Sequence, residues 1–257
     1  MNDVRIGVQV QNQHADYPDI RDMVMRCEEA GVDIIYNWDH FYPLTGDPNG
    51  KHFEAWSMLS AWAEQTERVE IGCLVTCNSY RNPQLLADMA RTVDHISNGR
   101  LVFGIGSGWM EKDYLEYRYE FGTAPERLRA LDAALPLIRD RWTKLNPPPT
   151  RSIPILVGGG GEKVTLRIVA EHATVWHSFT RLEDMPHKLD VLDRWCERVG
   201  RDPADIERSI GLNTSRFELA EPYFELGIRQ FTFSLRAPAD LSSIEPWLEW
   251  RNTKRAG

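Results

Sequence analysis

The chain is poor in the features that would make it a disulfide-stapled, membrane-spanning or nucleic-acid-binding protein. Four cysteines (Cys27, Cys73, Cys77 and Cys196) in 257 residues are too few for a disulfide framework, which favours a reducing compartment. No apolar stretch approaches the roughly 18 residues that a spanning helix needs. The opening MNDVRIGVQV lacks a cationic segment ahead of a long apolar one, so export is not expected and a cytoplasmic location is. A net charge of −8 argues against a cationic face for nucleic acid or anionic lipid. A small anion needs only a few backbone amides and remains a possible ligand. HExxH and CxxC pairs are both missing. Cys73 and Cys77 stand four apart with no histidine at ligand spacing, so no metal site is expected.

What the chain does have is alternation. Eight β-type runs, Val4–Val10, Val32–Trp38, Val69–Val75, Arg100–Gly106, Ile153–Gly159, Ala173–Ser178, Ile206–Asn213 and Ile228–Ser234, are each followed by a helical pattern. In the first helix Ile20, Met23, Val24, Cys27 and Ala30 recur at helical spacing before Gly31 ends it. Strands alternating with helices pair in parallel, and eight of them close a (β/α)8 barrel; an open doubly wound sheet is the alternative. The one linker-like segment, KLNPPPTRS (Lys144–Ser152), excludes helix and central strand through its prolines. It joins two halves of one barrel, so a single domain over residues 1–257 is expected.

In such a barrel the reactive groups lie at the C-terminal ends of the strands. Those ends carry polar, aromatic or glycine residues here. The run VGGGGEKV lets backbone approach a ligand closely and opens into a helix N-terminus, which suits phosphate; a tight turn alone is the other explanation. Lys163 and Arg167 could add positive charge to it. The pair Asp39-His40 is the candidate for proton chemistry, since histidine titrates near neutrality and an adjacent carboxylate can tune it. Equally, either side chain could satisfy loop backbone. The stretch RLVFGIGSGWMEKDY fails the dinucleotide fingerprint, which needs its third glycine where Trp109 stands. It reads instead as a buried strand whose Gly106 and Gly108 clear the mouth for a flat ligand. Trp38, Trp109 and Trp176 sit at strand ends and could wall an aromatic ring.

The motifs NWDHF, EIGCLVTCNSYRNP, ISNGRLVFGIGSGWMEKDY with a following PERLRAL, and PILVGGGGEKVTLRIVAEHATVW, in that order, resemble the bacterial luciferase-like monooxygenase superfamily. The likeness is closer to its branch that uses the deazaflavin coenzyme F420, and it runs to about Trp176. The resemblance implies a luciferase-like (β/α)8 TIM barrel holding the deazaflavin at its mouth, with hydride passing between the ring's C5 and a small organic substrate. By position, His40 would exchange a proton, and Asp39 would contact the ring or tune His40. Cys73 and Leu74 match the place of a non-prolyl cis peptide behind the ring, and Thr76 a polar contact to it. Gly106, Gly108, Trp109 and Trp176 would line the ring, Glu111 would be the acid after the glycine turn, and Gly159, Gly160 and Gly161 would hold phosphate. The family often has Asn where Met110 and His177 stand, and the connection from Trp142 to Ile153 is short. An FMN-dependent monooxygenase using oxygen, a non-catalytic deazaflavin carrier and, by fold analogy, a sugar-phosphate isomerase or lyase are the alternatives. A homodimer is implied as well.

Overall fold

Strand side chains alternate between two faces, and the apolar residues of each run show which face is which. Along β1 (Arg5–Gln11), Ile6, Val8 and Val10 are wholly buried in the large core between sheet and helices. Gly7, Gln9 and Gln11 therefore face the barrel axis. The structure, a computed structural model, describes residues 3–256.

The remaining strands are β2 (Ile34–Asn37), β3 (Glu70–Cys73), β4 (Thr76–Cys77), β5 (Leu101–Gly106), β6 (Ile155–Gly158), β7 (Val175–Ser178), β8 (Glu207–Leu212) and β9 (Gln230–Arg236). Every neighbouring pair is parallel, and β1 pairs with both β2 and β9, which closes the ring. β3 and β4 both pair with β5 and are two halves of one strand position. The result is the closed eight-position barrel that the alternation implies. The third run does not continue unbroken from Val69 to Val75: it stops at Cys73 and resumes at Thr76, with a cis peptide between Leu74 and Val75.

The helices are α1 (Tyr17–Glu29), α2 (Ala55–Gln65), α3 (Pro83–Ile96), α4 (Glu111–Tyr117), α5 (Ala124–Lys144), α6 (Thr165–His172), α7 (Met185–Val199), α8 (Ala220–Glu225) and α9 (Glu245–Ala256). Two points differ from the sequence pattern. α4 is a short helix of 7 residues added between β5 and α5; its buried residues, Asp113 and Tyr114, are adjacent and leave no periodic stripe to read. α6 starts at Thr165, three residues after Glu162, because residues 162–164 form a turn. α5 begins with a reciprocal cap, in which Thr123 and Glu126 each bond the other's backbone.

The barrel interior is layered. Arg5 pairs with Glu70 at 2.8 Å and Glu207 at 3.3 Å at the N-terminal end. Above them lie Ile34, Tyr36, Val102, Leu156 and Val175, an apolar plug on which Leu74 packs. Burying such side chains contributes about 1.5–3 kcal/mol each. Over the plug, at the C-terminal mouth, the inward residues turn polar: Gln9, His177, Ser209 and Thr232. No helix among the described residues is long and apolar enough to cross a membrane.

Candidate active site

Three consecutive residues leaving β2 point three ways. Trp38 donates its ring N–H to His52 Nε2 at 3.1 Å. Asp39 is 1% exposed and accepts both arms of Arg81, at 2.6 and 3.0 Å, plus the Cys77 amide at 3.0 Å. Burial pushes its pKa up, and Arg81 opposes that. His40 turns the other way, toward α4, where its Nδ1 lies 2.7 Å from Asp113 Oδ2. Asp39 and His40 thus face apart, and the expectation that Asp39 tunes His40 is corrected: the carboxylate on His40 is Asp113.

Asp113 is wholly buried, and its oxygens also accept the Phe41 amide at 3.2 Å and the Tyr80 hydroxyl at 3.1 Å. An ionised carboxylate only accepts, so the His40 nitrogen facing it must carry a proton, and Nε2 is left for exchange. Trp109, 62% exposed, stands edge-on to His40 with ring centroids 5.4 Å apart. Glu111 is exposed at the start of α4, so the first turn that carries it supplies Asp113 to His40 instead. Acidic residues there suit the positive end of the helix dipole.

Beside this pair lies the split third strand. Leu74 turns inward and its carbonyl accepts Gln9 Nε2 at 2.7 Å. Cys73 faces the outer core, and burial raises its thiol pKa; burial raises Cys77 to about 11. Neither is a thiolate nucleophile. Thr76 is buried, and its hydroxyl has no hydrogen-bond partner. The space at the β5 glycines is taken by the chain itself, which corrects their assignment as a slot for a flat ligand. A Cβ on Gly106 would meet Val75 Cγ2 at 2.7 Å, and one on Gly108 would meet Tyr114 Oη and Cys77 Sγ.

Across the ring, β6 ends in the glycine turn. Gly159 has φ +124°, its amide donates to the His177 carbonyl at 2.9 Å and its carbonyl accepts Trp176 Nε1 at 2.8 Å. Trp176 is therefore wholly buried on the helix side and fixes the turn; the expectation that it walls the mouth is corrected. Gly160 offers its carbonyl to Lys188 at 2.9 Å, and the Gly161 carbonyl accepts the Leu166 amide of α6. Lys163 is exposed, whereas Arg167 is held by Asp132 at 2.6 Å and Glu171 at 2.5 Å and does not serve the turn. With His172, those two acids form the one cluster of metal-ligand type among the described residues, and Arg167 already bridges it.

The residue after Trp176 faces inward. His177 is 2% exposed, its Nδ1 lies 2.8 Å from Ser209 Oγ, and burial lowers its pKa to about 3. Phe179, 77% exposed, stands edge-on to it with centroids 5.1 Å apart. Both line a cavity of about 330 Å3 that also touches Gln9, Leu74 and Thr232. Asp113 is the residue that sequence reasoning missed, and His177 was noted there only as a departure from the family pattern. Strand parity was the available signal for His177, since Val175 and residue 177 share a face.

A family model described as luciferase-like monooxygenase matches residues 3–216. Among curated proteins, the F420-dependent glucose-6-phosphate dehydrogenase of Amycolatopsis mediterranei (strain U-32) is 28% identical over 63% of this chain and 53% of its own. That of Kribbella flavida is 32% identical over 55% and 42%. The chain spans about half the length of these curated relatives. Among solved structures, an F420-dependent secondary alcohol dehydrogenase in complex with an F420-acetone adduct superposes with a TM-score of 0.85. It is 16% identical, covers 96% of this chain and 98% of its own, and shares the barrel fold.

Proposed function

The chain belongs to the luciferase-like monooxygenase family, and from that premise we propose that it is an F420-dependent oxidoreductase acting on a small organic substrate. The observation that carries the reading is the His40–Asp113 pair at the barrel mouth, 2.7 Å apart and flanked by the exposed ring of Trp109. The residues present fit the coenzyme. Thr76 offers a buried, unpartnered hydroxyl, and the turn Gly159–Gly160–Gly161 leads into α6, whose amides and dipole suit an anionic tail. When bound, the deazaflavin supplies a carbon that accepts or gives a hydride.

The chain's own part is orientation and proton handling. Asp113 holds the His40 ring through Nδ1–H, so Nε2 takes up or returns the substrate's proton. Asp39 is fixed by Arg81 and the Cys77 amide, which makes it a rigid edge of the site and not a partner of His40. Leu74, held by Gln9, forms a firm wall on the mouth side of the plug. Shielding the reacting groups from water and holding them in near-attack geometry is the remaining contribution. On the same reading the chain works as one domain over residues 1–257, in the cytoplasm and as a homodimer.

Titration of the purified protein with F420 and with FMN, followed by tryptophan fluorescence, tests the coenzyme. Saturable quenching by F420 that is largely lost in Trp109→Phe is expected. Tight FMN binding without F420 binding would move the chain to the oxygen-using monooxygenases of the family, and binding of neither would leave the reading without support.

A further inference from the structure

The N-terminal end of the barrel, opposite the mouth, carries a cavity of about 450 Å3 that the proposed activity does not use. Its size falls in the range of roughly 300–1,000 Å3 typical of small-molecule sites. Arg5 opens β1, Glu207 and Arg208 open β8, and Arg229 directly precedes β9. Three neighbouring strands thus deliver charged side chains to one end. Arg255 comes from the last turn of α9, and Pro203, Ala204 and Ile206 form an apolar side.

The cations here outnumber their acids. Arg5 and Arg151 are matched by Glu70 and Glu207. Arg208 has Asp193 at 2.7 Å, and Arg255 shares Asp33, at 2.9 Å, with Arg251 at 2.8 Å. Arg229 has no carboxylate in ion-pair range among the described residues. Its Nη1 donates to the Phe224 and Ile228 carbonyls at 2.8 and 3.0 Å, and its guanidinium lies over the Phe224 ring. Arg208, Arg229, Arg251 and Arg255 therefore meet two carboxylates, and Asp3, exposed on the rim, leaves the sum positive in a chain of net charge −8. Burial and the nearby Arg208 both lower the pKa of Arg229, as expected of two like charges set close together. Gly227, at φ +89°, leaves room for the Arg208 arm, since a Cβ there would stand 3.2 Å from its Nη1.

Two guanidiniums beside one cavity suit a dianion better than a single carboxylate, because each planar fork can take a pair of oxygens. The apolar side gives such an anion's organic body a surface to cover. We propose that this cavity is a second ligand site that takes a phosphomonoester, with the phosphate on Arg208 and Arg229 and the organic body against Pro203, Ala204 and Ile206. It lies on the order of 20 Å from the mouth, the rise of six strand residues at ~3.3 Å each.

Thermal unfolding of the full chain at fixed ionic strength tests it, since a ligand that binds only the folded state raises the unfolding temperature. The probes are AMP and ribose 5-phosphate, with adenosine, ribose and inorganic phosphate as their separated parts. A saturable rise with at least one of the two esters is expected, larger than with inorganic phosphate and absent with adenosine and ribose. Arg229→Gln should weaken that ester about tenfold, the scale of a hydrogen bond to a charged group. Ala204→Glu, which keeps both arginines and adds a repelling carboxylate to the wall, should weaken it as well, with F420 quenching of tryptophan fluorescence unchanged in both variants. No rise with either ester would overturn the proposal, as would an equal rise with the uncharged parts or with inorganic phosphate. A rise kept in both variants would place the binding elsewhere, such as the glycine turn at the mouth, and would overturn it too.

Discussion

His40 and His177 occupy opposite sides of the barrel mouth, one just after β2 and the other in β7, four positions away around the eight-membered ring. Each has an exposed aromatic ring edge-on to it, Trp109 at 5.4 Å and Phe179 at 5.1 Å between centroids. They differ in what holds Nδ1. Asp113 gives His40 a buried carboxylate, which accepts from Nδ1 and so fixes the tautomer. Ser209 gives His177 a hydroxyl, which fixes neither tautomer nor charge. The same side chain is thereby built into a proton carrier on one side and a neutral hydrogen-bonding post on the other, and the second atom out decides which.

The largest effect should come from breaking the first arm of that comparison. His40→Ala is expected to lower turnover by about 10²–10⁴, the usual scale of general acid–base catalysis, with F420 affinity unchanged by fluorescence titration. Asp113→Asn keeps the shape and removes the charge, so turnover should fall about a hundredfold as proton transfer loses its orientation and driving force. Asp113→Ala should in addition cost about 1–3 kcal/mol in urea unfolding, because the Phe41 amide and Tyr80 hydroxyl lose their acceptor.

The other arm is visible in stability against pH. The folded pKa of His177 lies at about 3, below that of an unfolded histidine near 6.5. As pH falls from about 6.5 toward 3 the unfolded chain takes up a proton that folded His177 refuses, so stability is lost, by up to about 1.4 kcal/mol per pH unit. His52, lowered to about 4 chiefly by burial, acts with the same sign. Urea unfolding at pH 7 and pH 5 should show the loss, and His177→Leu should remove its own share of the slope. The smallest effect belongs to Trp109→Phe: with 62% of the side chain already exposed, unfolding free energy should change by less than about 0.5 kcal/mol.

The barrel was legible because each βα unit repeats its own signals, a short apolar run and then a helical stripe ended by Gly or a polar turn. The cis peptide that the resemblance put at Cys73 and Leu74 lies one residue on, between Leu74 and Val75, and the apolar content of EIGCLVTC, which continues across it, could not have placed it. The site was legible as a place more than as a set of partners. NWDHF located the histidine correctly at the mouth, but adjacency suggested Asp39 as its partner, and consecutive residues leaving a strand point different ways. The true partner lies 73 positions on, in a helical turn too short to show periodicity. Trp176 was misread for a simpler reason: with Val175 facing inward, parity alone puts residue 176 among the helices. Gly106 and Gly108 were rightly seen as clearances, but what fills them, Val75 and Tyr114, comes from other segments.

The most direct test of the division between the two histidines is the single-turnover reaction of bound F420 with its organic substrate, measured over a range of substrate concentrations in His40→Ala and His177→Leu. The loss in His40→Ala should fall on the saturating rate, with half-saturation unchanged. His177→Leu, which leaves the His40–Asp113 pair intact, should keep most of the saturating rate. A rate defect confined to His177→Leu, with His40→Ala reacting at the parent rate, would contradict the account.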